Sequence, residues 1–204
     1  MVIGSQIRSE VAPDDLGLYS SLGTEAFGGS ELSIKLAKFR DVSAGTQPGQ
    51  FAVGERTTID SFADLDPSFK KLMDDPVTQV LGIVGPGGRA NLTPMWFDYE
   101  GDLILINSAA HRTKTGWIRD NPRLTSLLVN PANPYHWMSI KHTVTREVSE
   151  DDPVEGPRVT AHLDKIWTKY TQQPGPYGLR DPSIDERRVL FECTVEQIAT
   201  FGQP

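Results

Sequence analysis

The sequence predicts a mainly β chain, folded as a small closed or partly closed antiparallel barrel with a few flanking helices. Three observations carry this. Six strand-like runs follow one another after residue 76, several joined by turns too short for a crossover. One helix-sized segment interrupts them in mid-sheet and opens on a basic pair. A hydrophobic share of 38%, with 18 glycines in 204 residues, is ordinary for a globular chain and sufficient for a single core.

Residues 1–60 read as an N-terminal extension, a partly flexible arm packed on the body or on a partner subunit. Within it, Leu32, Leu36 and Phe39 fall at near-helical spacing, so Ser30–Arg40 is expected to be helical with Ser30 as N-cap. Ser43–Gln50 is polar and carries no pattern. The body spans residues 61–204. Asp66–Met73 reads as a short helix with Pro67 in its first turn. Val77–Val84 is a strand, Gly85-Pro86-Gly87-Gly88 a turn, and Arg89–Tyr99 the return strand. Glu100-Gly101 then turns the chain into Asp102–Asn107. A helix over Arg112–Asp120 stops before Asn121-Pro122, because proline disfavours helix in the residue before it. Arg123–Asn130 is the next strand, and Pro131–Pro134 loops into the long strand Tyr135–Val148. A helix at about Arg158–Tyr170 places Ala161, Ile166 and Tyr170 inward. The polar loop Thr171–Ile184 leads to the last strand, Arg187–Phe201.

Composition narrows the function. A net charge of −7 argues against nucleic acid as a partner, since binding a phosphate backbone needs a basic surface. Cys193 is the only cysteine and lies in the apolar run Val189–Val195, so it reads as a small buried hydrophobe, with no disulfide and no cysteine-rich zinc site. No apolar run reaches the ~18 residues of a membrane helix, and the N-terminus lacks the pattern of a signal peptide, which predicts a soluble cytoplasmic protein with no membrane partner. Gly-x-Ser-x-Gly, His-Glu-x-x-His and nucleotide-binding glycine loops are absent. Gly85–Arg89 is glycine-rich but joins two strands, so a hairpin turn explains it.

The most informative stretch is Thr93–Lys114, strand, turn, strand and helix start. A helix start has unpartnered N–H groups and a partly positive dipole end. Arg112 and Lys114 there form a candidate phosphate cradle, since two cations at that end call for an anion nearby. The other reading is a pair of solvated surface charges. His111, beside them, is a candidate hydrogen-bond donor to phosphate or substrate. Trp96 is either core or a flat wall for a planar ligand. On the strand from Tyr135, alternation puts Tyr135, Trp137, Ser139 and Lys141 on one face and His136, Met138, Ile140 and His142 on the other. The first face can contact a ring. The two histidines of the second are either satisfied core or surface residues or ligands to a metal or haem iron, and with no Asp, Glu or Cys on that face no metal site is expected. Lys169-Tyr170 reads as capping of its own helix or as a contact to an acidic cofactor tail, and Asp151-Asp152 and Asp185-Glu186 as solvated loop charges.

Thr93-Pro94-Met95-Trp96-Phe97, Asn107-Ser108-Ala109 and His111-Arg112-Thr113-Lys114 resemble the split-barrel flavin and deazaflavin reductases of the pyridoxamine-phosphate-oxidase-like superfamily. Asp120-Asn121-Pro122-Arg123, Asn133-Pro134-Tyr135 and Lys169-Tyr170-Thr171 are similar to its coenzyme F420 branch. The similarity runs over about residues 62–202. It implies a split antiparallel β-barrel, homodimeric, with two cofactor sites at the subunit interface and a small-molecule substrate. Arg112 and Lys114 would hold the phosphate. The ring would lie along the strand of Thr93, Pro94, Met95 and Trp96 and the strand end Ile106, Asn107, Ser108 and Ala109. Tyr135 and Trp137 of the other subunit would complete the pocket, with Tyr135 the candidate proton donor. The implied cofactor is F420, with FMN as the alternative. The implied reaction is hydride transfer from reduced F420 to an electron-poor organic acceptor. An FMN oxidoreductase and a non-catalytic flavin- or haem-binding protein are the competing readings.

Overall fold

The computed structural model describes residues 33–39 and 53–204. The described strands are β1 (Ile34–Phe39), β2 (Val53–Ile59), β3 (Gln79–Val84), β4 (Ala90–Met95), β5 (Asp98–Glu100), β6 (Leu103–Ala109), β7 (Arg123–Val129), β8 (Trp137–Ser149) and β9 (Arg188–Phe201). The helices are α1 (Pro67–Asp74), α2 (Thr113–Asp120) and α3 (Gly156–Thr171).

One sheet runs in the order β2-β1-β9-β8-β7-β3-β4, with β6 paired to β9 and to β5. The 14-residue β9 organises it. Along one edge β9 pairs with β8 over almost its whole length. Along the other, its first half takes β6, antiparallel, and its last residues take β1, in the one parallel pairing among the described strands. Pro94 sits on β4, at the sheet edge, where a missing N–H costs nothing. The other edge, β2, is blunted by exposed Glu55, Arg56, Thr57 and Thr58. The core inside the curve includes Leu81, Phe97, Ile104, Leu128, Ile140 and Ile198, all fully buried.

Several sequence expectations are overturned, two of them in the strands. Residues 34–39 form a strand, not a helix. Ile34 and Leu36 point inward at a period of two while Lys35 and Lys38 are exposed, and pairing with β9 decides between the two periodicities that the segment carries. Ser30, Leu32 and the Ser43–Gln50 stretch lie outside the described residues. The predicted strand Arg89–Tyr99 is broken at Trp96-Phe97. The freed backbone groups are taken up by side chains: Gln79 Nε2 donates to the Trp96 carbonyl at 3.0 Å, and the Phe97 N–H donates to the Tyr170 hydroxyl at 2.8 Å.

The helices follow the sequence more closely. Asp66 caps α1 by accepting from the Ser68 N–H at 2.9 Å, Pro67 occupies the first turn, and Phe69, Leu72 and Met73 are buried. α3 starts earlier than expected and buries Val159, His162, Leu163 and Ile166. Ala161 is exposed, because five residues of helix turn it well over 90° away from Ile166. Gly156 opens α3 because a Cβ there would lie 2.3 Å from the Glu150 carbonyl oxygen. Among the described residues no helix is long and apolar enough to cross a membrane.

Candidate cofactor site

β6 delivers the chain to the start of α2, and the joint is clamped by hydroxyls. Thr115 Oγ1 donates to the Ala109 carbonyl at 2.8 Å and lies 2.9 Å from Ser108 Oγ, and the Arg112 N–H returns to the Ala109 carbonyl at 3.1 Å. β5 covers β6 only as far as Leu105, so the same edge of Ile106–Ala109 has no strand partner among the described residues. The side chains of these four residues are buried, so only backbone along that edge can meet a ligand.

Arg112 is the N-cap of α2, and no side chain caps the helix start. Lys114 is half-buried in its first turn. Burial, then the neighbouring cations Arg112 and Arg188, push its ammonium pKa down. Its recorded polar neighbour is Met95 Sδ at 4.0 Å, a weak acceptor, and among the described residues it has no carboxylate partner. A partly desolvated cation at an uncapped helix start is a candidate position for an anion. A groove of ≈ 530 Å³ lies between the β3–β4 turn and Trp117 of α2, lined by Gly85, Pro86, Arg89, Leu92 and Trp117, and Lys114 is not among its lining residues. Trp117 lies one turn beyond Lys114, and Thr93 and Met95 are half-buried on the strand facing it, with Pro94 exposed between them.

Behind the cradle lies a polar chain that the sequence reading missed. Arg188 donates through Nη1 to Glu186 Oε1 at 2.7 Å and through Nε to Asn107 Oδ1 at 2.9 Å. Asn107 Nδ2 donates to the Val159 carbonyl at 3.1 Å and stands 3.5 Å from His162 Nδ1. His162 Nε2 lies 3.3 Å from Asp98 Oδ2, which also takes Lys165 Nζ at 2.6 Å. Burial pushes the Asp98 carboxyl up, but the His162 and Lys165 contacts outweigh it and bring it down to about 2. Glu186 is therefore no solvated loop charge, whereas Asp151, Asp152 and Asp185 are exposed as expected. The available signal was the spacing of Glu186 and Arg188, which share one face of an extended segment.

Trp96 packs in an aromatic group. It stacks on Tyr170 at 5.2 Å between centroids and 12° between planes, and meets Tyr177 edge-on at 6.2 Å. One face is thus taken, and the half-exposed remainder is what a ligand can meet. Tyr170 and Lys169 do not cap their own helix. The Tyr170 hydroxyl donates to the Val77 carbonyl at 2.6 Å, and Lys169 Nζ donates to the Met73 carbonyl at 2.8 Å, so Lys169 is already engaged by backbone.

Tyr135 and Trp137 are not brought to the cradle within one chain. Trp137 pairs with Phe201 and Ala109 with Arg188, at opposite ends of β9, roughly 40 Å apart along the strand at ~3.3 Å per residue. Tyr135 is 64% exposed, and Trp137 stacks on Phe201. His111 is exposed beside the cradle. His136, Met138, Ile140 and His142 share one face, as alternation predicted, and the structure buries that face in the core. His142 Nε2 lies 2.8 Å from Ser126 Oγ, and burial pushes its pKa down to about 3. His136 packs on Phe69 at 4.8 Å. Cys193 is fully buried, its thiol pushed up to about 12. Among the described residues no cluster of metal-ligating side chains occurs.

No family model and no curated protein matches the sequence. Solved structures do match in shape. An F420 reductase aligns over 66% of this chain and 98% of its own, with 24% identity and a TM-score of 0.53. HutZ, the haem storage protein from Vibrio cholerae, aligns over 68% and 96%, with 13% identity and a TM-score of 0.50. A candidate pyridoxamine 5′-phosphate oxidase from Listeria innocua aligns over 60% and 86%, with 22% identity and a TM-score of 0.42, too low to carry weight. At these identities the likeness establishes the fold alone: the chain shares its mainly β fold with the F420 reductase and with HutZ. A haem-storage protein on the same scaffold means that the fold does not choose the chemistry, and the site must.

Proposed function

We propose that this chain is an oxidoreductase that binds a phosphate-bearing, flavin-type cofactor at the start of α2. The observation that carries it is Lys114, a half-buried ammonium with no carboxylate partner among the described residues, at an uncapped helix start beside Arg112. The residues present suit a phosphate with a planar ring attached. Arg112 and Lys114 supply the cations and His111 a further donor. The open backbone edge of Ile106–Ala109 and the half-exposed rim of Trp96 supply a flat boundary.

F420 is the preferred cofactor and FMN the alternative, since both end the ring-bearing portion in phosphate. When bound, reduced F420 supplies a hydride from carbon, which suits an electron-poor acceptor of the enone, quinone, lactone or tetrapyrrole type. The chain's own part is to anchor the phosphate through Arg112 and Lys114, fix the ring's distance from the acceptor, and keep water off its buried side. A homodimer completes the site in this reading, with Tyr135 and Trp137 of the partner subunit closing the pocket, and solvent or the Tyr135 hydroxyl returning a proton. Haem held by His136 and His142 is disfavoured, because both rings are buried in the core.

The test is a fluorescence titration with F420 and with FMN, followed by anaerobic turnover of reduced F420 with a panel of such acceptors. Micromolar or tighter F420 binding and acceptor-dependent oxidation support the reading. Preference for FMN moves it to a flavoprotein, and binding of neither overturns it.

A further inference from the structure

Arg188 and Glu186 form an ion pair whose side chains are both 5% exposed. Burying two charges costs several kcal/mol per ion before attraction is counted, so such pairs are weak sources of stability and call for another reason. Their position supplies one. Arg188 pairs with Ala109, the residue from which the first turn of α2 hangs, and the Ala110 N–H donates to the Arg187 carbonyl at 2.8 Å. The pair thus stands beside the strand end from which the chain enters α2. Both Glu186 oxygens are engaged, Oε1 by Arg188 and Oε2 by the Asp181 N–H at 3.3 Å. Arg188 is itself held from three sides, by Asn107, by Glu150 Oε2 on its backbone N–H at 3.0 Å, and by the Tyr177 ring 5.5 Å from its guanidinium carbon. Burial pushes the Glu186 carboxyl up, but Arg188, the Asp181 amide and, at longer range, Arg112 together hold it below its ordinary value.

We propose that Arg188 is a positioning residue for the phosphate cradle: it holds Glu186 away from Arg112 and Lys114, so that the cradle keeps its positive charge for the ligand. Glu186 is a carboxylate close enough for Arg112 to influence. Released from Arg188, it pairs with Arg112 and competes with the phosphate. Arg188 needs no ligand contact for this role.

The inference rests on the cofactor reading above, and the test separates the two. The full chain is titrated with F420 and FMN and with their phosphate-free counterparts, the bare deazaflavin chromophore and riboflavin. Glu186→Gln is expected to bind the phosphorylated ligand about threefold tighter, and Arg188→Met about tenfold weaker. With no carboxylate left for Arg188 to hold, Glu186→Gln/Arg188→Met returns to within about threefold of the parent. Affinity for the phosphate-free ligands stays level throughout. Equal shifts for phosphorylated and phosphate-free ligands, or an Arg188→Met variant that is folded and binds normally, overturn the inference and leave the cofactor reading standing. If Arg188→Met does not fold, Glu186→Gln decides alone, and unchanged or weaker phosphate-ligand binding overturns it. A parent chain that binds neither F420 nor FMN overturns both.

Discussion

The hydroxyls of Ser108 and Thr115 lie 2.9 Å apart, fully buried, and that contact joins the end of β6 to the first turn of α2. Thr115 also donates to the Ala109 carbonyl, so its single hydroxyl sets the direction in which the uncapped helix start faces. Thr115→Val keeps the shape and removes both contacts, leaving Ser108 Oγ and a carbonyl without this partner. A loss of about 1–3 kcal/mol in urea unfolding is expected, with weaker cofactor binding alongside. Unchanged stability contradicts the clamp.

Lys114 is expected to show opposite signs in stability and binding. Replacing it with Met removes a partly buried cation that has no carboxylate partner among the described residues, so the ligand-free chain gains about 0.5–2 kcal/mol. Cofactor affinity falls by about 1–3 kcal/mol, the scale of a charge-assisted hydrogen bond or of unpairing its partner. Thermal melts with and without ligand measure both. A variant that loses stability and keeps its affinity marks Lys114 as an ordinary structural residue.

Gly156→Ala should destabilise by about 1–3 kcal/mol through overpacking, because the added methyl meets the Glu150 carbonyl oxygen at 2.3 Å. Chemical denaturation reads this directly, and an unchanged midpoint shows that the loop before α3 gives way freely.

Acid should weaken the fold in two windows. His142 takes up its proton near pH 6.5 when unfolded but only near about 3 when folded. Between those values the unfolded chain binds more protons, so stability falls as pH drops. Asp98, held at about 2 against an ordinary 3.8, contributes stability that is complete above 3.8 and is lost as pH falls through 2. Melting curves of His142→Leu should be flatter than the parent's between pH 6.5 and 4. Parallel curves contradict the assignment.

How much of this was legible in the sequence depends on the range of the contacts. Pro67, Gly101 and Asn121-Pro122 act within a few residues, and α1, the β5–β6 turn and the end of α2 fall where they indicate. Alternation from Tyr135 to His142 likewise sorted these residues onto two faces, and burial in the structure shows that the His136–His142 face enters the core. The Ile34–Phe39 segment carried two periodicities, and a partner more than 150 residues away, β9, chose between them. The break at Trp96-Phe97 is held open by Gln79, Lys169 and Tyr170, from elements on either side of it in sequence, and no local pattern reports that. In the site, Arg112 and Lys114 were visible because they adjoin one helix start. Arg188 was not, because its meaning comes from Asn107, Glu186 and Tyr177 meeting around it.

The most direct test of the phosphate cradle is a paired fluorescence titration of the parent chain and an Arg112→Ala/Lys114→Met variant, using F420 and FMN. The account predicts micromolar or tighter binding of one of them by the parent, and a drop of at least about tenfold in the variant. Equal affinity in the two proteins would contradict it.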